Sequence, residues 1–323
     1  MHKANKNTFQ FADLFCGGGC GARGAVSAGG TPIVAVDAWN VATETYRANF
    51  KKAKVINALV EKVSPRQAVG RRRIDLLLSS PECTNHSHAR GNREPVESSR
   101  ETALSTLVWT KELTPKWIVM ENVPNIRAWA RYEELVDGLR RLGYGIRETV
   151  VCASRFGVPQ RRRRLFLTAM RGDVPSAVVI PNQRISSAAE ILDPTGIWNE
   201  SPLYSDKRAV RTLKYAEAAI GALGTAESFL VVYYGSDKGG GWQSLDEPLR
   251  TVTTLDRFAL IRPTVRGPVM RMLQPPELAR AMGLPKFHRF PTGSRRDRIK
   301  LCGNGICAPV MRSVVSQLVN GTR

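Results

Sequence analysis

Ile74-Asp-Leu-Leu-Leu-Ser-Ser-Pro-Glu-Cys83 decides the fold when it is set beside Trp117-Ile-Val-Met-Glu-Asn-Val123. Each is a short apolar run that stops at a reactive side chain. Ile74 to Leu78 reads as a buried strand with Cys83 in the loop behind it, and Trp117 to Met120 as another with Glu121 immediately after. In an open parallel sheet the loops after the strands form the ligand crevice. A thiol nucleophile and a carboxylate therefore meet in one cleft. That pairing suits covalent catalysis on a substrate whose protons must also be handled.

Outward from these two strands the pattern repeats. Phe9 to Phe15 reads as a first strand, Cys16-Gly-Gly-Gly-Cys-Gly-Ala22 as a flexible turn, and 22–28 as a short helix of small residues. A second strand, 33–36, ends at Asp37, and 41–50 is helix-like. A helix over 101–113 precedes the Trp117 strand. Tyr132, Leu135, Val136, Leu139 and Leu142 recur at helical spacing before Gly143, a fitting C-cap, and 165–169 is a further strand. Strands alternating with helices predict a parallel α/β sheet. From about residue 172 to 290 the chain turns irregular and rich in Pro, Gly and Ser, with β-like pieces at Phe229–Tyr234 and Leu249–Thr253. Order returns at Pro309–Leu318, where Val310, Val314, Val315 and Leu318 share a helical face. The expected division is a catalytic domain, 1–172 completed by 291–323, and a smaller irregular domain, 173–290. The polar stretch 84–100, directly behind Cys83, is expected to be a mobile lid.

Bulk properties narrow the function. Lys plus Arg number 48 against 28 acids, a net charge of +20, which points to a polyanionic partner, above all nucleic acid. No apolar run reaches the roughly 18 residues of a membrane span, and the N-terminus lacks an apolar signal core, so the protein is expected in the cytoplasm. There the six cysteines, at 16, 20, 83, 152, 302 and 307, stay reduced. Cys16/Cys20 with Cys302/Cys307 could make a four-thiolate zinc site, but the glycines around both pairs have a better use and no metal is expected.

That use is a cofactor. A Gly-rich turn between strand and helix lets a ligand approach the backbone, and an acid about 20 residues on can hold ribose hydroxyls. Asp37 has that spacing from Gly17. The turn is not G-x-G-x-x-G and no P-loop Lys follows, which favours an adenosine cofactor without pyrophosphate.

The order of motifs resembles the DNA cytosine-C5 methyltransferase family. Phe11-Ala-Asp-Leu-Phe-Cys-Gly-Gly-Gly-Cys-Gly21 resembles its first cofactor motif, Asp75–Cys83 its nucleophile motif, and Glu121-Asn-Val123 its Glu-Asn-Val. Phe156-Gly-Val-Pro-Gln-Arg-Arg-Arg-Arg164 matches its Gln-x-Arg-x-Arg element. Arg271-Met-Leu-Gln-Pro-Pro-Glu-Leu-Ala-Arg-Ala-Met-Gly-Leu-Pro285 resembles the later motif that props the small domain, and Gly303-Asn-Gly-Ile-Cys-Ala-Pro309 the final one.

The resemblance implies a Rossmann-like sheet that binds S-adenosylmethionine and a target recognition domain over 173–290. It implies Cys83 as the nucleophile on cytosine C6, Glu121 bonded to N3 and the exocyclic amine, and Arg164 with Arg162 at the O2 edge. The cofactor would lie on Phe15, Cys16, Gly17, Gly18, Gly19, Asp37, Ala38, Pro81, Asn304 and Ile306. Duplex DNA would be the partner, its target base flipped out, with contacts from Ser87, Arg90, Gln160, Thr254, Leu255 and Arg257. Arg250, Arg262 and Arg266 are further candidates for phosphate or guanine. A monomer specific for one short sequence follows, with a cognate restriction endonuclease as a further partner.

The chain departs from the family pattern in places. Glu82-Cys83-Thr84 replaces Pro-Cys-Gln, and a carboxylate facing the thiol would raise its pKa. Asp37 stands where Glu is usual, Ile56-Asn-Ala58 where Gly-Asp-Ile is usual, and Met282-Gly-Leu-Pro285 where Gln-Gly-Phe-Pro is usual. Two alternatives keep the fold: a tRNA cytosine-C5 methyltransferase and a catalytically decayed DNA-binding protein. A zinc cytidine deaminase is disfavoured because His-x-Glu and Pro-Cys-x-x-Cys are lacking.

Overall fold

A computed structural model describes residues 8–82, 97, 101–234 and 240–321. Its larger sheet has seven strands: β1 (Phe9–Leu14), β2 (Gly30–Asp37), β3 (Lys54–Asn57), β4 (Leu76–Ser79), β5 (Trp117–Asn122), β6 (Tyr144–Cys152) and β7 (Arg163–Arg171), in the order β3-β2-β1-β4-β5-β7-β6. The pairs from β3 through to β5 are parallel, whereas β7 runs antiparallel to both β5 and β6. The sequence led us to expect only parallel strands and did not distinguish β6. Its β-branched run, Thr149-Val-Val151, is interrupted upstream by Arg147 and Glu148, which blunts the apolar signal.

Period-2 alternation explains why the apolar runs are strands covered on both faces. Leu76 and Leu78 enter one core cluster and Leu77 the other. Trp117 and Val119 likewise face one way, Ile118 and Met120 the other. Each such buried side chain contributes about 1.5–3 kcal/mol. Glu121 is the last but one residue of β5, not the first residue of a loop after it, so a strand backbone fixes its direction.

Helices α1 (Cys20–Ser27), α2 (Asn40–Asn49), α3 (Pro65–Val69), α4 (Ser105–Leu113) and α5 (Tyr132–Arg141) belong to the first part of the chain. The small residues of α1 serve a close approach: a Cβ on Gly24 would run into the Ala308 carbonyl and Met311. The partner there is the C-terminal helix, Ala308–Asn320, which buries Val310, Val314, Val315 and Leu318, the face read from the sequence.

The second sheet is more regular than its sequence suggested. Strands β8 (Ser201–Pro202), β9 (Phe229–Val232), β10 (Trp242–Ser244), β11 (Phe258–Arg262) and β12 (Val269–Met272) pair antiparallel in the order β10-β9-β11-β12-β8. Helix α6 (Val210–Leu223) packs Tyr215, Ala216 and Ala219 against Phe229, Val231, Ala259 and Ile261. The opposite face, Leu230, Val232 and Leu260, joins the core of the large sheet. Leu249–Thr253 is extended but is no strand, because its hydrogen bonds go to the 159–162 segment: Leu249 N–H donates to the Pro159 carbonyl at 2.9 Å and Arg161 N–H to the Leu249 carbonyl at 2.7 Å. Helices α7 (Pro275–Ala281), α8 (Arg295–Asn304) and α9 (Ala308–Asn320) complete the chain. Buried Glu277 caps α7 through Gln274 N–H at 2.7 Å and takes two bonds from Arg271 at 2.8 and 2.7 Å. Among the described residues no helix is long and apolar enough to cross a membrane.

Candidate active site

Strand order reverses between β1 and β4, the switch point where an open sheet leaves a crevice beyond its strand ends. A cavity of about 510 Å³ lies there, within the range of small-molecule sites. One half is built of backbone. Phe15 and Gly17 both have positive φ, 55° and 52°, so the chain doubles back above β1. Asp37, at the end of β2, braces that turn: one oxygen accepts from Gly17 N–H at 2.9 Å, the other from Trp39 N–H at 2.8 Å. Burial raises the Asp37 carboxyl above its usual range, and the two N–H donors and Lys300 offset part of the rise. The Lys300 ammonium sits 4.4 Å over the Trp39 ring. Asn57 ties the next loop in, donating to the carbonyls of Asp37 and Ala38, and Leu59 and Val60 wall the far end.

The other half is built of buried charge. Glu121 is 6% exposed, and its carboxylate lies 3.0 Å from the Arg164 guanidinium on the neighbouring strand β7. Burial raises the Glu121 carboxyl, and Arg164, then Arg162, cancel only part of that rise. Burial thus favours the protonated form of this carboxyl more than water would, against the pull of both arginines. Asn122 donates to the Pro81 carbonyl at 3.1 Å and accepts from Val123 N–H at 2.8 Å. It therefore pins the β4 loop two residues before Cys83 to the strand that carries Glu121. Ser80 anchors the same loop to the carbonyls of Phe15 and Leu14.

Most of the residues singled out from the sequence meet at this cavity. Phe15, Cys16, Gly17, Gly18, Asp37, Ala38, Pro81, Asn304, Ile306, Glu121 and Thr254 all line it, as does Glu82. Gly19, Arg162, Gln160 and Arg257 take other places. Gly19 stands behind the wall, where a Cβ would meet the Phe50 ring. Arg162 does not line the cavity: it is 2% exposed and donates to the carbonyls of Val252, Gly303 and Gly305 at 2.8–2.9 Å. It staples the segment before β7 to the 252 loop and to the end of α8. Gln160, expected at DNA, is fully buried, donating to the Ala281 carbonyl at 2.8 Å and accepting from Val252 N–H at 2.9 Å. Arg257 is half-buried and donates to the Tyr233 carbonyl at 2.6 Å, while Leu255 is exposed beside Thr254. Cys83, Ser87, Arg90 and, apart from Glu97, the stretch expected to form a lid lie outside the described residues.

Burial separates four of the other thiols from a nucleophilic role. Cys16, Cys20, Cys302 and Cys307 are buried, and desolvation pushes their thiols up, to about 12 for Cys20 and about 11 for Cys307. Sequence reasoning missed Asp13, Trp39, Asn122 and Lys300. Asp13 had a signal: it is the one charged residue in an apolar strand, and it lines the cavity, buried beside the Tyr46 hydroxyl. Trp39 and Lys300 meet only through the fold.

The model of the C-5 cytosine-specific DNA methylase family matches residues 9–320. The Type II methyltransferase M.HindV of Haemophilus influenzae is 26% identical over 95% of each chain. A tRNA (cytosine(38)-C(5))-methyltransferase of Spodoptera frugiperda is 23% identical over 90% of this chain and 92% of its own. The Entamoeba histolytica methyltransferase EhMeth superposes with a TM-score of 0.70 at 16% identity, covering 98% of this chain and 99% of that one. With a family model spanning nearly its whole length, and a switch-point crevice that pairs a Gly-rich turn with a buried Glu-Arg couple, the chain belongs to the C-5 cytosine-specific DNA methylase family.

Proposed function

We propose that the chain is an S-adenosylmethionine-dependent DNA cytosine-C5 methyltransferase acting on one short duplex sequence. The observation that carries this reading is the junction of two half-sites in one cavity: the Asp37-braced glycine turn and Glu121, which Arg164 holds from just outside the lining. The residues suit the cofactor. Asp37 keeps lone pairs beyond those taken by Gly17 and Trp39 N–H that could hold ribose hydroxyls, and Trp39 and Leu59 offer apolar surface beside them. Bound there, the cofactor would supply an electrophilic methyl group.

The protein's own part begins with a flipped cytosine. Cys83 as thiolate adds to C6, making C5 nucleophilic, while the Glu121 carboxyl gives or shares its proton at N3 and accepts from the exocyclic amine. Arg164 holds Glu121 in place and offsets charge at O2. After methylation, loss of the C5 proton expels the thiolate and restores the ring. In this reading residues 1–172 with 291–323 carry the chemistry and 173–290 read the DNA, with Thr254 and Leu255 at the mouth of the cavity. The protein works as a monomer in the cytoplasm, alongside a cognate restriction endonuclease.

Transfer of labelled methyl from S-adenosylmethionine to unmethylated duplex DNA, with sequence-resolved detection of C5-methylcytosine, tests this. Methyl at one recurring short sequence is expected. Transfer to tRNA and not to duplex would move the chain to the tRNA branch, to which its likeness over 90% of its length lends support. Cys83→Ser is expected to abolish transfer and keep duplex binding; full activity in that variant would sink the mechanism.

A further inference from the structure

The crevice does not account for the protein's charge. Its lining holds Asp13, Asp37, Glu61, Glu82 and Glu121 against Lys300, although the chain as a whole carries +20. Part of the surplus lies at the opposite edge of the large sheet, where the parallel strands begin. Lys51 and Lys52 lead into β3, Arg71 and Arg72 into β4, Lys116 into β5 and Arg141 into β6, and Arg171 ends antiparallel β7 at the same edge. Backbone bonds join this edge from β1 to β6, Asp75 N–H to Gln10, Trp117 N–H to Asp75, Arg171 N–H to Lys116 and Gly172 N–H to Gly143, and the pairings of β1 with β2 and β2 with β3 carry it on to Lys51 and Lys52. Every one of these seven cations is exposed.

Acids on the rim do not balance them. Asp75 pairs with Arg73 at 3.4 Å and Asp137 with Arg140 at 2.8 Å, Glu112 is half-buried, and Asp173 turns its Oδ1 to Val174 N–H. From β3 to β6 there are six strand steps. At about 4.8 Å each, the rim spans roughly 29 Å. With 3.4 Å per base pair, that is the length of roughly eight base pairs of duplex. An extended row of exposed cations matches a regular phosphate backbone better than it matches a compact acidic peptide.

We infer that this rim is a second binding surface for double-stranded DNA, remote from the crevice, so that one protein molecule holds two duplex segments at once. The inference goes beyond the catalytic reading and stands on a different surface. Such a protein could pass from one segment to another without release.

The test counts short duplexes, about ten base pairs long, bound per protein by sedimentation, in the full chain and in Lys51→Gln/Lys52→Gln/Arg71→Gln/Arg72→Gln. Two duplexes are expected on the natural protein and one on the variant. On the natural protein the slope of log K against log salt for the second duplex should be at least about 3–4 in magnitude, near 0.9 for each of these four phosphate contacts. An unchanged thermal midpoint would show that the variant folds. A single duplex on the natural protein that the variant still binds, or two on the variant, overturns the proposal. So does displacement of the second duplex by an oligo-glutamate of equal charge with at least equal affinity, which would assign the rim to an acidic protein. Failure of the catalytic reading looks different: the variant would then bind no duplex, while the rim-bound duplex of the natural protein would persist.

Discussion

The two halves of the crevice reach the same cavity by opposite means. The cofactor half is shape: positive-φ residues, a carboxylate spent on backbone N–H groups, and a glycine that a methyl group would drive into Phe50. The base half is charge: a carboxyl with 6% exposure and a guanidinium 3.0 Å away, each reached from a sheet strand. Shape is specified locally, by consecutive residues of one turn. Charge is specified by pairing, here between β5 and β7, whose members lie 43 residues apart as Glu121 and Arg164. The halves should therefore fail differently.

The largest effect is expected on the base half. Glu121→Gln keeps the volume but cannot deliver a proton to N3, so methyl transfer should fall by about 10³-fold, within the span of lost acid–base catalysis. Cofactor affinity, measured by calorimetry, should stay within about twofold. A fall in cofactor affinity as large as the fall in rate would mean that the halves are not separable.

On the cofactor half, Asp37→Ala removes the acceptor of both Gly17 N–H and Trp39 N–H. Cofactor affinity should drop about 100-fold, near 2.7 kcal/mol for two lost charge-assisted bonds. Duplex affinity should hold. If Asp37→Ala binds cofactor normally, the brace is unimportant and the turn stands on its own. Gly19→Ala should act through stability: its φ of 82° and the adjacent Phe50 ring both oppose a Cβ. A loss of about 2–4 kcal/mol in denaturant unfolding is expected.

The same contrast governs what the sequence makes legible. Gly17, Asp37, Pro81 and Glu121 were readable because apolar runs ending at strand ends locate a crevice without any knowledge of pairing. Arg162 and Gln160 were not. Both belong to a motif that, by resemblance, points at the base and at DNA, yet their polar atoms are consumed by the carbonyls of Val252, Gly303, Gly305 and Ala281. Those partners are 90 to 143 residues away, and no local pattern announces them. Alternation did carry a hint: Arg161 and Arg163 are exposed while Arg162 is buried and Arg164 half-buried, so two of the four arginines had to find partners inside. The second sheet was obscured for a different reason. Its strands run only two to five residues, and the longest apolar pieces face covers on both sides, so neither period nor length marks them.

The smallest predicted effect separates the halves by sign. Burial raises both Glu121 and Asp37. A carboxyl raised in the folded state contributes its full stability below its ordinary value and loses it as pH climbs through the raised one. At neutral pH both charges therefore cost stability by desolvation, yet removing them should have opposite outcomes. Glu121 faces a guanidinium that is itself 13% exposed and can turn part of its hydration back to water. Glu121→Gln should thus gain roughly 1 kcal/mol, about 2 °C in thermal midpoint, and flatten the decline in stability as pH rises past the ordinary glutamate range. Asp37 faces two fixed backbone donors that have no other acceptor within the turn. Asp37→Asn would present an amide N–H to one of them and should lose about 1–2 kcal/mol instead. Midpoints moving the same way in both variants would show that burial alone sets the energetics of the crevice. Midpoints moving apart would show that the cofactor half keeps its charge for the backbone, and the base half keeps its charge for chemistry alone.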